Sequence, residues 1–412
     1  MQVEIINIGD ELLIGQVINS NAAKMGQMLI NGGFSTRRMI TISDDKADIL
    51  ASIDNRLPDT KIIIFSGGLG PTRDDLTKNT LAEYFNTELV LNQDAYNDLV
   101  KYFDSRNLKL TPTNEEQAYQ PKDCISLPNE VGTARGMWFE KDDLVVISLP
   151  GVPYEMIHIM ETQVMPRLIK KYNTEPLNYR TVMTIGIGES FLSDKISQWE
   201  DALPSDMSLA YLPKFGTVRL RLSCADTNAK RSIERINAEI EKLEPIISEY
   251  IYGYDEISLE EVIGQKLKEK GKTLSTAESC TGGYVSHLIT SIAGSSAYYK
   301  GSIISYSNEV KANNLNIPTE IIEKHGAVSE EVVALMAENV KKALNTDYSI
   351  AISGIAGPDG GTEDKPTGTV WITASSPLRI ETKKFNLNGN RMQNIERSAL
   401  MALNMLRILL NE

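Results

Sequence analysis

Apolar residues come in short runs of strand length at Val3–Ile8, Lys61–Phe65 and Leu144–Leu149. Each run leads through a glycine-containing turn into a stretch with helical spacing, at Asn21–Asn31, Asp75–Phe85 and Tyr154–Tyr172. Strand–helix alternation of this kind predicts a parallel sheet with helices on both faces. The rhythm changes between Pro176 and Tyr254. A strand-like Thr181–Ile187, a helical Ser190–Ala202, an alternating Thr217–Ser223 and a long charged helix over Ala229–Tyr250 predict a small α+β unit there. It has no cluster of reactive side chains and is expected to link two larger domains. Alternation resumes near Ser258, where Glu260–Lys270 is amphipathic and stops at Gly271, a C-cap residue. Strands are predicted over Thr273–Thr276, Gly301–Ser305, Tyr348–Ile352 and Thr369–Ala374. Helices are predicted over Gly283–Ile292, Glu309–Leu315, Glu330–Leu344 and Asn394–Leu410. The expected organisation is α/β, in three domains at 1–170, 171–255 and 256–412.

Length agrees with this division, since 412 residues exceed one ordinary core. At 42% hydrophobic and 24% charged, the composition is globular, with no tract biased towards disorder. A formal net charge of -13 argues against non-specific binding to nucleic acid or anionic membrane. It leaves room for a phosphate-bearing small molecule held by a few basic groups and backbone amides. No apolar run approaches the roughly 18–20 residues that span a bilayer. The opening Met1-Gln2-Val3-Glu4 carries an acid where a signal peptide wants positive charge. Cys124, Cys224 and Cys280 are far apart and lack metal-site spacing. A cytoplasmic setting is the expectation.

Candidate chemistry concentrates at strand ends. Thr276-Ala277-Glu278-Ser279-Cys280-Thr281-Gly282-Gly283 lies between a predicted strand and a helix, where open α/β sheets place ligands. Its glycines would let backbone approach a substrate, and the helix N-terminus would offer amides to an anion. A purely structural turn is equally compatible with this spacing. Tyr306-Ser307-Asn308-Glu309-Val310-Lys311 follows one later strand, and the segment from Ser353 to Gly361 follows another. Three such ends point to one shared site. The histidines are His158, His287 and His325. His287 lies about 12 Å beyond Ser279 along the same predicted helix, out of reach of its hydroxyl. His325 precedes Gly326 in a predicted loop, with a surface or capping role. A serine–lysine pair is the other route, and it needs a lysine kept neutral by burial or by positive neighbours. Lys311 is the candidate, although its spacing also suits a solvated helix lysine. Cys280 and Thr281 stand as rival nucleophiles.

These segments, with Lys365-Pro366-Thr367-Gly368-Thr369-Val370 after them, resemble the CinA carboxy-terminal family across the whole domain. The resemblance implies an amidohydrolase acting on nicotinamide mononucleotide (NMN) without a cofactor. Ser279 would be the nucleophile, Lys311 the base, and Tyr306 the residue beside them. Thr281, Gly282, Gly283, Ser353, Gly354 and Gly357 would line the substrate. Arg391, before the last helix, is a candidate phosphate partner and Arg397 a second, with ordinary surface roles open to both.

In the first domain, Asp10 and Glu11 follow Gly9 at the end of the first strand. Ser66-Gly67-Gly68-Leu69-Gly70-Pro71-Thr72-Arg73-Asp74-Asp75 ends another strand, and Leu149-Pro150-Gly151-Val152-Pro153 a third. Gly67, Gly68, Gly70, Thr72 and Gly151 could cradle phosphate or nucleotide through backbone amides. Asp10, Glu11, Asp74 and Asp75 could supply oxygen ligands to a magnesium-type cation. Asp74 or Asp75 could instead cap the following helix. Together the three segments resemble the molybdopterin-binding fold of the MoaB and MogA type, in the form that opens CinA-like proteins. That implies a three-layer α/β domain. In one branch it binds and adenylates pterin phosphate; in the CinA-like branch it splits ADP-ribose with magnesium, manganese or cobalt. The linking domain falls where CinA-like proteins carry a KH-like unit. Its Gly186-Ile187-Gly188 is not the GxxG loop of RNA-binding KH domains, which argues against RNA.

The resemblance thus implies an enzyme of pyridine-nucleotide recycling, with NMN and ADP-ribose as its small-molecule substrates. The alternatives are a molybdopterin-binding or adenylating protein, and an interaction protein for competence or DNA-damage responses. A homodimer is expected from the resemblance and from the frequency of two-fold oligomers.

Overall fold

The computed structural model describes residues 1–72, 75–174, 178–214, 216–225 and 228–412. They form two compact units that divide near residue 178.

The first unit is built on a six-stranded sheet in the order Ser35–Ile42, Gln2–Ile8, Thr60–Ser66, Leu144–Leu149, Gly136–Lys141, Ile125–Leu127. Neighbours among the first four strands are parallel, and the last two strands are antiparallel additions. The expected all-parallel sheet is therefore corrected to a mixed one. The cause is local. Asp142 and Asp143 join two strands in which Lys141 faces Leu144, and a turn that short can only connect antiparallel strands. Asp142 takes φ +54°, a left-handed conformation that aspartate tolerates. The central strands are largely apolar because both faces are covered. Ile5 clusters with Met25 and Leu29, whereas Ile6 clusters with Ile49 and Ile53. Asn19 starts the helix Ser20–Asn31 by accepting from the Ala22 amide at 3.0 Å. The helix expected from Asp75 begins at Thr77. The one expected over Tyr154–Tyr172 forms, with a π-turn at Met160–Val164.

The second unit holds two sheets. The smaller has the order Met207–Lys214, Thr217–Cys224, Asn178–Ile185, Ile251–Tyr254, with helices Glu189–Asp201 and Ala229–Ile247 on its apolar face. Alternating burial along Thr217–Cys224 follows its alternating sequence. The larger has the order Tyr299–Ile304, Leu274–Glu278, Tyr348–Gly354, Thr369–Ser375, Ile380–Asn386, parallel over the first three strands and antiparallel beyond. Ile350 and Ile352 pack with Leu403 and Leu406 of the last helix, Arg391–Leu410. Ala277 and Ala351 pack with Val333 and Met336 of Glu330–Ala343 on the other face. The last helix starts three residues before Asn394, where a capping box between Asn390 and Gln393 satisfies its first turn. Thr319–His325 is a helix, which corrects the loop expected around His325. Its Nδ1 lies 2.9 Å from Glu331.

Arg407, 3% exposed, joins the small domain to the last helix by donating to the Glu249 and Ile251 carbonyls at 2.8 and 2.9 Å. Among the described residues no helix is long and apolar enough to cross a membrane.

Candidate active site

Three parallel strand ends of the larger C-terminal sheet converge at Ser279. The strand Leu274–Glu278 delivers it onto a turn, pinned on one side by its amide donating to Ile352 O at 3.0 Å. On the other side Ser305 donates to Glu278 O at 2.7 Å. Gly282 takes φ +61°, a left-handed position that favours glycine, and its amide donates to Ser279 O at 3.1 Å to close the turn.

Ser307 caps the helix Asn308–Leu315, placing Lys311 one turn in. Helical side chains lean towards the N-terminus. The Lys311 stem accordingly runs back to the sheet, and Nζ reaches Ser279 Oγ at 3.0 Å, Ser305 O at 2.7 Å and Tyr306 O at 3.5 Å. Lys311 is 1% exposed, which excludes the solvated-helix reading, and burial lowers its pKa from the ordinary 10.5. Among the described residues no carboxylate hydrogen-bonds its Nζ. Ser279's hydroxyl has one hydrogen-bonding side-chain partner among the described residues, and it is Lys311.

The rival nucleophiles are in different states. Burial pushes the Cys280 thiol up to about 12, so it is not a thiolate at neutral pH. Thr281 Oγ1 donates to Glu278 Oε2 at 2.8 Å. Glu278 is the residue that sequence reasoning missed. Fully buried, it also accepts from the Gly283, Val285 and Ser286 amides at 3.0, 3.1 and 2.9 Å. The helix N-terminus expected to receive an anion from outside is thus filled by the chain's own carboxylate, which corrects that expectation. An acid placed just ahead of a helical turn was the available signal.

The remaining residues divide. Arg391 Nη1 donates to Gly357 O at 2.8 Å and Nη2 to the Tyr306 phenol at 3.2 Å, so these three share one rim. The Tyr306 ring is 62% exposed and its phenol meets Arg391, not the Ser279–Lys311 pair. Its side chain therefore belongs to the mouth of the site. Asn394, buried, donates to Ala356 O and Gly389 O and holds that rim to the last helix. Ser353 and Gly354 do not line the opening. Ser353 Oγ donates to Ala327 O at 2.7 Å, and a Cβ at Gly354 would sit 2.7 Å from Val370. Both hold the strand in place.

In the first unit the loop backbones do meet. A Cβ on Gly151 would lie 3.4 Å from Gly67 Cα, and one on Gly68 (φ +66°) would strike Thr77 Oγ1 at 2.1 Å. The Gly67 amide is already spent on Leu149 O at 3.0 Å, so it is not a phosphate donor. Gly70, Thr72, Asp75 and Lys78 border a cleft of about 310 Å³, and burial lowers the Lys78 pKa. Asp75 Oδ2 accepts from both the amide and hydroxyl of Thr72, at 2.9 and 2.6 Å; it closes a turn rather than capping the helix. Asp10 and Glu11 are exposed, and Asp74 lies outside the described residues. Among the described residues no three Asp, Glu, His or Cys side chains converge to hold a metal. The described carboxylates, Asp74 aside, do not gather into a cation site.

Mixed α/β sheets carrying a buried serine–lysine pair at parallel strand ends define a modular α/β protein. The family described as the CinA C-terminal domain matches residues 256–410, the damage-inducible protein CinA KH domain matches 179–253, and the probable molybdopterin binding domain matches 4–170. A CinA-like protein of Cytophaga hutchinsonii is 44% identical over 409 residues, covering 99% of this chain and 98% of that protein. One from Flavobacterium psychrophilum is 43% identical over 408 residues, with 98% of each covered. A crystal structure titled competence/damage inducible protein CihA from Agrobacterium tumefaciens is 33% identical, with TM-score 0.37, over 37% of this chain and 94% of that one. This chain belongs to the CinA-like family.

Proposed function

We propose that the C-terminal domain hydrolyses the carboxamide of NMN, giving nicotinic acid mononucleotide and ammonia. The observation that carries the reading is the buried Lys311 Nζ 3.0 Å from Ser279 Oγ. As a neutral amine, Lys311 can direct its two hydrogens at the Ser305 and Tyr306 carbonyls and turn its lone pair to the serine hydroxyl. Lys311 takes the hydroxyl proton as Ser279 Oγ bonds to the carboxamide carbon. Backbone amides of the turn after Ser279 would stand by the developing oxyanion, apart from that of Gly282, which donates to Ser279 O at 3.1 Å. The C–N bond then breaks, and the nitrogen leaves as ammonia with the proton from Lys311. Water attacks the acyl-enzyme and yields a proton to Lys311, which returns it to Ser279 as the carboxylate departs. Arg391 and Tyr306 at the mouth supply the phosphate end. The substrate's identity comes from the family resemblance; the pair's geometry supports acyl transfer. Purified protein offered NMN should release ammonia, and a Ser279→Ala variant releasing it at the wild-type rate would sink the assignment.

For the first unit we propose cleavage of the ADP-ribose pyrophosphate, supported by the glycine-bordered cleft with Lys78 beside it. The likeness to a probable molybdopterin binding domain favours a second reading, binding of a pterin phosphate. Because the described carboxylates do not fit a cation, no step is routed through one. AMP released from ADP-ribose, assayed with and without magnesium, manganese or cobalt, supports the first reading; silence in every arm removes it.

A further inference from the structure

A second cleft, of about 590 Å³, lies inside the second unit between its small sheet and the last helix. That volume is within the roughly 300–1,000 Å³ of small-molecule sites. It is separate from the Ser279 site: none of its lining residues comes from the turns around Ser279, Lys311 or Ser353. One wall is a stripe on the last helix, Arg397, Leu400, Met401, Asn404, Met405 and Ile408, at the spacing that puts residues on one helical face. Opposite it are Phe385 of the edge strand and Val218 of the hairpin. Gly186-Ile187-Gly188, the glycine cluster without an assigned role, forms part of the rim, where a Cβ on Gly186 would lie 3.4 Å from Asn404 Nδ2. Arg407 clamps the two walls through backbone carbonyls. The cleft is therefore preformed.

Its charge runs against that of the chain. Lys214, Lys383 and Arg397 border it, with Glu189 the one acid among the described lining residues, on a protein of net charge -13. Lys383 pairs with Glu381, and Arg397 donates to Asn388. Lys214 has no acidic partner among the described residues. Meanwhile Phe385, Leu400 and Met401 keep part of their surface uncovered. Apolar walls under a cationic rim complement one kind of small molecule. We propose that this cleft binds a small amphipathic organic anion: an apolar body bearing one carboxylate, sulfonate or phosphate group.

The probe is anilinonaphthalene sulfonate, titrated into the full-length protein by fluorescence, with uncharged phenylnaphthylamine as its partner probe. Blue-shifted emission at one site per chain is expected. Met401→Trp and, separately, Leu400→Trp should fill the cleft and abolish it. Lys214→Gln with Lys383→Gln, both exposed, should weaken the sulfonate about tenfold and leave the uncharged probe unchanged. Filled variants that melt like wild type yet bind the sulfonate overturn the location. Sulfonate affinity indifferent to both lysine changes overturns the anion. One probe per two chains overturns the proposal in favour of a second copy covering the cleft.

Discussion

Replacing Lys311 by methionine tests the core of the proposed chemistry. The change keeps side-chain length and apolar volume but removes Nζ, and with it the contacts to Ser279 Oγ, Ser305 O and Tyr306 O. A general base contributes about 10²–10⁴ in rate, or ~3–5 kcal/mol of barrier. No second side-chain partner of the Ser279 hydroxyl is present among the described residues to take over. The fall should appear in kcat for ammonia release from NMN, with KM nearly unchanged, because Lys311 lies beneath Ser279 and not at the Arg391 rim. Stability adds an independent readout. Folded Lys311 loses its proton below the 10.5 of an ordinary lysine, so between the two values the unfolded chain binds one proton more. Stability of the wild type therefore rises with pH through that window, and the penalty of burial is fully present below it. Lys311→Met lacks this component, so wild type should gain on the variant as pH rises towards 10.5. Activity of the wild type should climb along a one-proton limb at the same lowered pKa. A folded Lys311→Met protein retaining kcat within about threefold would refute the assignment of Lys311 as base.

Arg391→Gln should raise KM for NMN about tenfold, the loss of one charge-assisted contact, and change KM little for nicotinamide riboside, which lacks phosphate; equal losses on both would remove the phosphate role. Glu278→Gln turns an amide group towards backbone N–H donors and should lower unfolding free energy by about 1.5–3 kcal/mol in denaturant titrations; an unchanged midpoint would count against its capping role. Gly68→Ala combines φ +66° with a Cβ only 2.1 Å from Thr77 Oγ1. It should destabilise the first unit by about 1–3 kcal/mol, read as an earlier melting transition. Cys280→Ser should leave ammonia release largely intact, since its thiol sits near pKa 12; loss comparable to that of Ser279→Ala would make Cys280 the nucleophile.

By itself the sequence determined the periodicities and the turn chemistry. Val3–Ile8 and Tyr348–Ile352 read as strands because a run buried on both faces leaves no other use for so many apolar residues. Strand-end glycines and the Ser279 motif were legible for the same local reason. Antiparallel additions to both large sheets were not, because pairing direction depends on which distant strand lies alongside, and an Asp142-Asp143 turn is a weak local signal. Nor was the state of Lys311. Seen along the chain it is a lysine in a polar helix; only the fold buries it against Ser279 and lowers its pKa. The same holds for Glu278, whose four donors come from residues after it in a turn that exists only once the strand is paired. Local patterns set where elements begin and end, while desolvation and partner geometry, which shift a lysine's pKa and make a carboxylate a cap, belong to contacts between elements.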